Sequence, residues 1–471
     1  MQGIRVSGTH LVDENGHEVI LNGICFICRD KSKEYLEPDL TRLVNVYARK
    51  GFNLLRLGIF WDAVEPEPGV YDERYLDNIA HAIQIADANG IYVFLDMHQD
   101  LFSAKFIDGA PAWATLDEGL PAPTGNSVWY DAYLNSPAVI RAADNFWENQ
   151  TVADGIGLLD HYEAMWEHLA ECFQDFKNII GFEPMNEPYM GSLAPQTFAE
   201  AVAAAQKINP DFNLACAATA SLEEQQAMIE VMTENFAHFD RETLMPFYER
   251  MLAAIRRVSD IPLVIGCNIY GTAVKSGLSR VNRPDGKIDD QQIFAPHGYD
   301  AVVDTENYDA YSKDNVSRIF ARHREVQNEL ELPVIVGEWG NFPSGDFTND
   351  LIEFMTGILE QYLWHSTYHQ YTAGMELDAN YSSLERGYPQ IVAGRLQSYH
   401  YDNANKELSV RWRAIQGQPS VFYLPDLSHI SAESIILTQP ADYEIQKFAD
   451  MRGGLVKIIA RQSGDIYAII H

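Results

Sequence analysis

From residue 18 to about residue 375, short aliphatic and β-branched runs alternate with longer stretches of helical period. That rhythm belongs to strand–helix units that build a parallel sheet. The spacing predicts strands over 18–24, 53–57, 91–97, 179–186, 261–267, 292–297, 333–338 and 366–372. Eight units of this kind predict an α/β fold, a (β/α)8 TIM barrel occupying residues 1–390. Ile91-Tyr92-Val93-Phe94-Leu95 and Pro333-Val334-Ile335-Val336-Gly337 are unbroken apolar runs, as expected of strands covered on both faces. Helices are predicted at 74–88 and at 242–258, the second starting after Asp240 as its N-cap. Residues 98–178 and 188–260 exceed a simple crossover and predict extra loops and helices above the barrel.

Past Gly394 the period changes to two. Leu408, Val410 and Trp412, then Ser420 to Leu424, Ile435 to Leu437, Leu455 to Ile459 and Ile466 to Ile470 alternate between turn residues. Residues 391–471 therefore read as a small C-terminal antiparallel β-sandwich, joined without a flexible linker and so packed against the barrel.

Composition narrows the partners. With 46% hydrophobic and 21% charged residues the chain can bury a large core, which excludes wholesale disorder. The formal net charge of −33 repels phosphate backbones and anionic lipid headgroups, so neither nucleic acid nor an anionic membrane is an expected partner. No apolar run reaches a membrane-spanning length, and Met1-Gln2-Gly3-Ile4-Arg5 opens no leader pattern. The expectation is no stable membrane insertion and a cytoplasmic location for the chain as given, or secretion if a leader has been removed; the oligomeric state stays open. Five scattered cysteines fit a reducing compartment, and Cys25 and Cys28 lack a second ligand pair for a structural zinc. No metal and no organic cofactor are expected.

Polar residues at the C-terminal ends of barrel strands face the site in such folds. Here they are dense: Arg56, then Asp96-Met97-His98-Gln99-Asp100, Met185-Asn186-Glu187-Pro188, His297-Gly298-Tyr299 and Gly337-Glu338-Trp339-Gly340. Two glutamates across a barrel mouth suit glycoside hydrolysis, where one protonates the leaving oxygen and the other stabilises the oxocarbenium-like centre. Asn186 is placed to hold a sugar 2-hydroxyl, and Arg56 and Tyr299 to keep Glu338 ionised as the nucleophile.

The ordered set Arg56, His98, Asn186-Glu187-Pro188, His297-x-Tyr299 and Glu338-Trp339-Gly340 resembles the retaining clan of (β/α)8 glycosidases, glycoside hydrolase family 5 in particular. A narrower likeness, to its endoglycoceramidase and glucosylceramidase branch, rests on three stretches. They are Asp96-Met97-His98-Gln99-Asp100-Leu101-Phe102-Ser103, Asp108-Gly109-Ala110-Pro111-Ala112-Trp113 and Tyr388-Pro389-Gln390-Ile391-Val392-Ala393-Gly394. The resemblance implies Glu187 as acid/base and Glu338 as nucleophile. It also implies Lys31, His98, Asp100 and Asn186 on the innermost sugar and Tyr299 orienting the nucleophile, with His297 a further substrate-binding residue. One position departs from the pattern: where the family carries a stacking tryptophan at the end of strand eight, this chain has His369, or, in a shifted alignment, Trp364 reaches in instead.

The expected activity is that of a retaining β-glycosidase releasing a sugar or short glycan from a hydrophobic aglycone such as a glycosylceramide, so the partner is a carbohydrate or glycolipid. Two rivals remain: a β-1,4-endoglucanase using Trp61, Trp113, Trp129 and Trp147 as platforms, and a non-catalytic carbohydrate-binding protein. Leu222, Met228, Ile229, Met232, Phe236 and Phe239, followed by Met245 and Phe247, form a helical stripe that either lids the aglycone or packs on the barrel.

Overall fold

A computed structural model describes residues 1–124, 128–213, 220–449 and 451–471. The parallel strands Asn22–Phe26, Leu54–Ile59, Tyr92–Met97, Ile179–Glu183 and Leu263–Gly266 are followed around a ring by Gln292–Ala295 with His297–Gly298, Ile335–Gly340 and His365–His369. The ring closes where Phe294 bridges Val334 and His297 pairs with Glu338. The (β/α)8 barrel is therefore present, and its closing contact lies at the end that carries the chemistry.

Strands such as Leu54–Ile59 and Ile335–Gly340 are buried along their whole length, because side chains point alternately into the barrel and under the helices. The predicted strand 18–24 divides in two. Glu18–Val19 pairs antiparallel with Tyr388–Val392, and only Asn22–Phe26 enters the barrel. Ile4, Val6 and Leu11, from the hairpin Ile4–Ser7 and His10–Asp13, pack on Leu54, Ile180, Val264, Ile293 and Ile335. That hairpin plugs the N-terminal end of the barrel.

The helix predicted to start after Asp240 starts earlier. Leu222–Phe239 opens with a capping box between Ser221 and Glu224, runs through a π-turn at Asp240–Leu244, and continues as Met245–Ile255. Asp240 is no cap; its buried carboxylate accepts from Asn268 Nδ2 (2.7 Å), Ser276 Oγ (2.8 Å) and the Gly277 N–H (2.7 Å), pinning the loop after the fifth strand. The same preference for binding N–H groups makes aspartate good at both tasks, which is why the sequence misleads. The apolar stripe also divides: Met228, Met232, Phe236, Phe239, Met245 and Phe247 join the main core, whereas Leu222 (85% exposed) and Ile229 (42%) line the open cavity above the barrel.

Two sheets follow the barrel. One contains Tyr388–Val392, Pro419–Leu424, Gly454–Ala460 and Ala441–Lys447 and is extended by the N-terminal strands; the other contains Gly394–Asp402, Glu407–Ala414, Gly464–Ile470 and Ile435–Leu437. Leu408, Val410, Trp412, Phe422, Val456 and Ile466 fill the space between them. Polar contacts fix this unit to the barrel: the Tyr388 hydroxyl donates to Gly51 O (2.5 Å), and buried Glu360 accepts from the Tyr401 N–H (3.1 Å) and from Arg386. Cys25, Cys28 and Cys267 are buried free thiols and Cys172 is exposed, while Cys216 lies outside the described residues. Among the described residues no helix is long and apolar enough to cross a membrane.

Gly51 sits at this junction with φ +87°, and a Cβ added to it would collide with the Tyr423 ring. Gly51→Ala is therefore expected to cost ~2–4 kcal/mol of stability, read by denaturant unfolding. A loss within experimental error would mean that the junction carries no strain-sensitive packing.

Candidate active site

A single cation organises the mouth of the barrel. Arg56, on the second strand, is fully buried, and its planar fork reaches four neighbours. Nε donates to Glu183 Oε2 (2.8 Å), Nη1 to Glu338 Oε1 (2.5 Å) and Nη2 to Asn186 Oδ1 (2.8 Å), with Asp96 Oδ1 at 3.1 Å from Nη2. These partners come from the third, fourth and seventh strands and the turn after the fourth, so strand register alone brings them together. Burial pushes Glu183 up to about 7 against the pull of Arg56. His98 goes the other way: burial opposes its charge, but Asp96 and Asp100 outweigh it and raise it to about 10. Its Nδ1 lies 2.8 Å from Asp96 Oδ2.

The chain turns sharply at Glu187, which has φ +41°. A left-handed glutamate is strained and needs its surroundings to hold it. Gln99 does so, donating from Nε2 to the carbonyls of Asn186 (2.9 Å) and Glu187 (3.0 Å), while the Asn186 N–H bonds Met97 O at 2.9 Å. The Glu187 carboxylate is thereby aimed at His297, with Nδ1 at 2.7 Å from Oε1.

Opposite, Glu338 accepts from the Tyr299 hydroxyl (2.8 Å) and from Arg56. His297 Nδ1 is 3.5 Å from its Oε2 and His369 Nδ1 is 3.4 Å from its Oε1. One oxygen of Glu187, one of Glu338 and a ring nitrogen of His297 all lie within 4.8 Å of one another. That approach is closer than the ~6.5–9.5 Å at which an inverting pair fits an attacking water beside the sugar, and it agrees with double displacement.

The two glutamates share a site but not an environment. Burial, followed by the nearby charges of Glu338 and Asp100, raises Glu187 despite its hydrogen bond to His297. Burial also works against Glu338, but His369 in its protonated form, His297 and Arg56 overcome it and hold its carboxyl well below the usual range. Burial pushes His369 itself down to about 4, so it is neutral near pH 7 and Arg56 is the permanent cation beside Glu338. The two carboxyls are thus pushed in opposite directions, and between them the proton favours Glu187.

A cavity of about 980 Å³ opens from this pair. Its inner end is lined by Arg29, His98, Asp100, Asn186, Tyr299 and His369. Its outer wall carries Trp129, Tyr130, Phe198, Ile229, Ile269 and Tyr270. Glu187, Glu338, His98, Asp100, Asn186, His297, Tyr299, Arg56 and His369 are thus gathered in one place. Lys31 is not among the cavity residues; it is 63% exposed, with Nζ 2.6 Å from Asp62 Oδ2. Arg29, two residues earlier, stands there instead, with Nη2 at 3.0 Å from His98 Nε2 and 2.5 Å from Asp100 Oδ2 and Nε at 2.7 Å from Asp108 Oδ2. His98, Asp100 and Asp108 would otherwise resemble a cation site, and the Arg29 guanidinium supplies that charge. Trp364 does not reach in: it is buried outside the barrel, its indole N–H donated to Gln327 Oε1 at 2.8 Å.

Sequence reasoning missed Arg29, Gln99 and Glu183 as members of the site. Glu183 had a signal, a carboxylate ending an otherwise apolar strand four residues before Glu187; Arg29 had none, since the loop offers Arg29, Asp30, Lys31 and Lys33 without distinction.

Arg56→Lys keeps the charge but cannot donate to Glu183, Glu338 and Asn186 from three nitrogens of one rigid plane. We expect kcat/KM on a chromogenic β-glycoside to fall by roughly 10²-fold or more, and the acid limb of the pH profile to move upward as Glu338 loses its anchor. A variant with unchanged rate and limb would show that Arg56 is structural only.

Three comparisons bear on this geometry. The model of the family described as Cellulase (glycosyl hydrolase family 5) matches residues 12–373. Endoglycoceramidase I of Rhodococcus hoagii is 25% identical over 90% of this chain and 80% of its own length, and the endoglycoceramidase of Hydra vulgaris 27% identical over 82% and 72%. A solved structure of endo-glycoceramidase II from Rhodococcus sp., described as a lactosyl-enzyme intermediate, superposes with TM-score 0.74 at 23% identity, covering 98% of this chain and 99% of that one. The family match spans most of the chain and the whole barrel, and on that ground the chain belongs to glycosyl hydrolase family 5.

Proposed function

We propose that this enzyme hydrolyses the β-bond between a sugar or short glycan and a hydrophobic leaving group of the glycosylceramide kind. The observation that carries the reading is the cavity itself, polar where it meets Glu338 and, beyond Glu187, carrying apolar surface from Trp129, Phe198, Ile229, Ile269 and Tyr270 among polar side chains such as Asp300 and Arg318. Glu338, ionised and held by Arg56 and Tyr299, attacks the anomeric carbon as the bond to the leaving oxygen breaks. Glu187 gives that oxygen its proton. In the second step Glu187, now a carboxylate, takes a proton from water, and the water oxygen displaces Glu338 from the sugar. His297, whose Nδ1 bonds Glu187 and faces Glu338, steadies the carboxylate that forms on each side. Arg29, His98, Asp100 and Asn186 offer charged and amide partners to sugar hydroxyls, contacts that penalise a sugar unable to pair with them. The similarity to endoglycoceramidases supports a glycolipid substrate.

The endoglucanase reading is weaker. Of its four candidate platforms Trp61 is buried, and Trp113 and Trp147 pack on the core with their indole N–H groups on Glu65 O (3.0 Å) and Tyr189 O (2.7 Å). Trp129 alone of the four lines the cavity. A purely binding role leaves the divergent environments of Glu187 and Glu338 without a purpose.

Kinetics on glucosylceramide, lactosylceramide, alkyl β-glycosides and cello-oligosaccharides test the proposal. Glycosides of apolar alcohols should exceed cello-oligosaccharides by about 10²-fold in kcat/KM, because the apolar wall offers a glucose leaving group little; the reverse order would favour the endoglucanase. Glu338→Ala should be inactive and partly restored by azide, while Glu187→Ala should spare dinitrophenyl glycosides more than alkyl ones. Equal losses on both substrate types would remove Glu187 from the acid role.

A further inference from the structure

The leaving-group wall of the cavity contains an unpaired positive charge. Helix Lys313–Leu330 presents Arg318 and Arg322, one turn apart, to the cavity. Arg322 is half-buried: its Nη2 donates to Thr272 O at 2.6 Å, and its Nε is buried with no partner. Among the described residues neither arginine forms an ion pair. This occurs in a chain with 67 acidic residues against 34 basic ones, where a carboxylate could easily have been supplied.

Asp131, Asp300 and Asp304 share the cavity lining, and the last two take their hydrogen bonds from uncharged donors rather than from the arginines. Asp300 accepts from the Val302 N–H (3.2 Å) and from Asn315 Nδ2 (3.1 Å), and Asp304 accepts from Trp129 Nε1 (2.9 Å) and Asn341 Nδ2 (2.6 Å). Burial and the charge of Arg318 both work against the Arg322 cation, with only Glu325 opposing them. A half-buried guanidinium without a counter-ion is costly. Ile319, Ile269 and Tyr270 line the cavity with it, so an uncharged chain laid there would cover the cation without pairing it.

We infer that Arg318 and Arg322 form a subsite for an anionic oxygen group, a carboxylate, sulfate or phosphate, carried by the apolar leaving portion of the substrate. The inference rests on the proposed function for the bond cleaved, and adds to its apolar leaving group an anionic head that a ceramide lacks. Arginine suits the task because its fork bonds two oxygens of such a group at once. General attraction of anions would not mimic the effect, since the net charge of −33 repels them at long range.

Octanol, octanoate and octyl sulfate, compared at pH 7 and constant ionic strength as competitive inhibitors of chromogenic glycoside hydrolysis, separate the possibilities. In the wild-type enzyme the two anions should bind about tenfold tighter than the alcohol. A preference for one anion over the other identifies the oxyacid. The advantage should vanish in Arg322→Gln, persist in part in Arg322→Lys and shrink in Arg318→Gln. Equal inhibition by octanol and both anions in the wild type overturns the inference whatever the variants do, as does an anion advantage that survives both glutamine substitutions. Failure of the underlying reading is distinguishable, because then octyl β-glycosides are not hydrolysed at all.

Discussion

The active end of this barrel depends on how one buried guanidinium is satisfied. Arg56 contributes one positive charge to a space that also holds Asp96, Glu183 and Glu338, and a buried ion is tolerable only when it is paired and hydrogen-bonded. The fork geometry meets that demand by taking partners from three other strands and from Asn186. Catalytic alignment and barrel closure are therefore one problem: the register that sets His297 beside Glu338 also brings Glu338 to Arg56. The surplus negative charge is relieved by His98, pushed up to about 10, and by Glu183, pushed up to about 7, rather than by Glu338.

This arrangement gives two glutamates of equal intrinsic acidity different surroundings. Glu338 is surrounded by donors and a permanent cation, whereas Glu187 stands on a strained turn with a single histidine partner and the repulsion of its neighbour. The cavity continues the division. Its inner end is made of residues on or just after the barrel strands, which are rigid and polar; its outer wall comes from the long segments after strands three to six, where helix Leu222–Phe239 and the loop around Ile269 and Tyr270 supply apolar surface. A scaffold of this kind lets the leaving-group side vary without disturbing the charge network beneath it.

The barrel was legible because fully buried strands leave unbroken apolar runs, and the two glutamates because polar residues at strand ends have few purely structural uses. The sheets after the barrel were legible from period-two alternation. Three features were hidden for physical reasons. The strand near residue 18 crosses from one sheet to another without a break in hydrophobicity. Asp240 reads as a cap, yet it bonds the N–H and O–H groups of a distant loop. In the loop after the first strand, the choice of Arg29 over Lys31 depends on which side chain reaches His98 and Asp100, a matter of three-dimensional distance that composition does not encode. His369 was singled out by the resemblance, as the residue standing where the family carries a tryptophan; that it lies 3.4 Å from Glu338, neutral at pH 7, required the structure.

The central claim is that the fold holds Glu187 protonated and Glu338 ionised over the same pH range. Carbon-13 NMR of enzyme labelled at the glutamate side-chain carboxyls, titrated with pH and assigned with Glu187→Gln and Glu338→Gln, measures this directly. The account predicts that Glu338 titrates below the ordinary glutamate value of ~4.3 and Glu187 above it. Two carboxyls titrating together near that value, or Glu338 above Glu187, would contradict it.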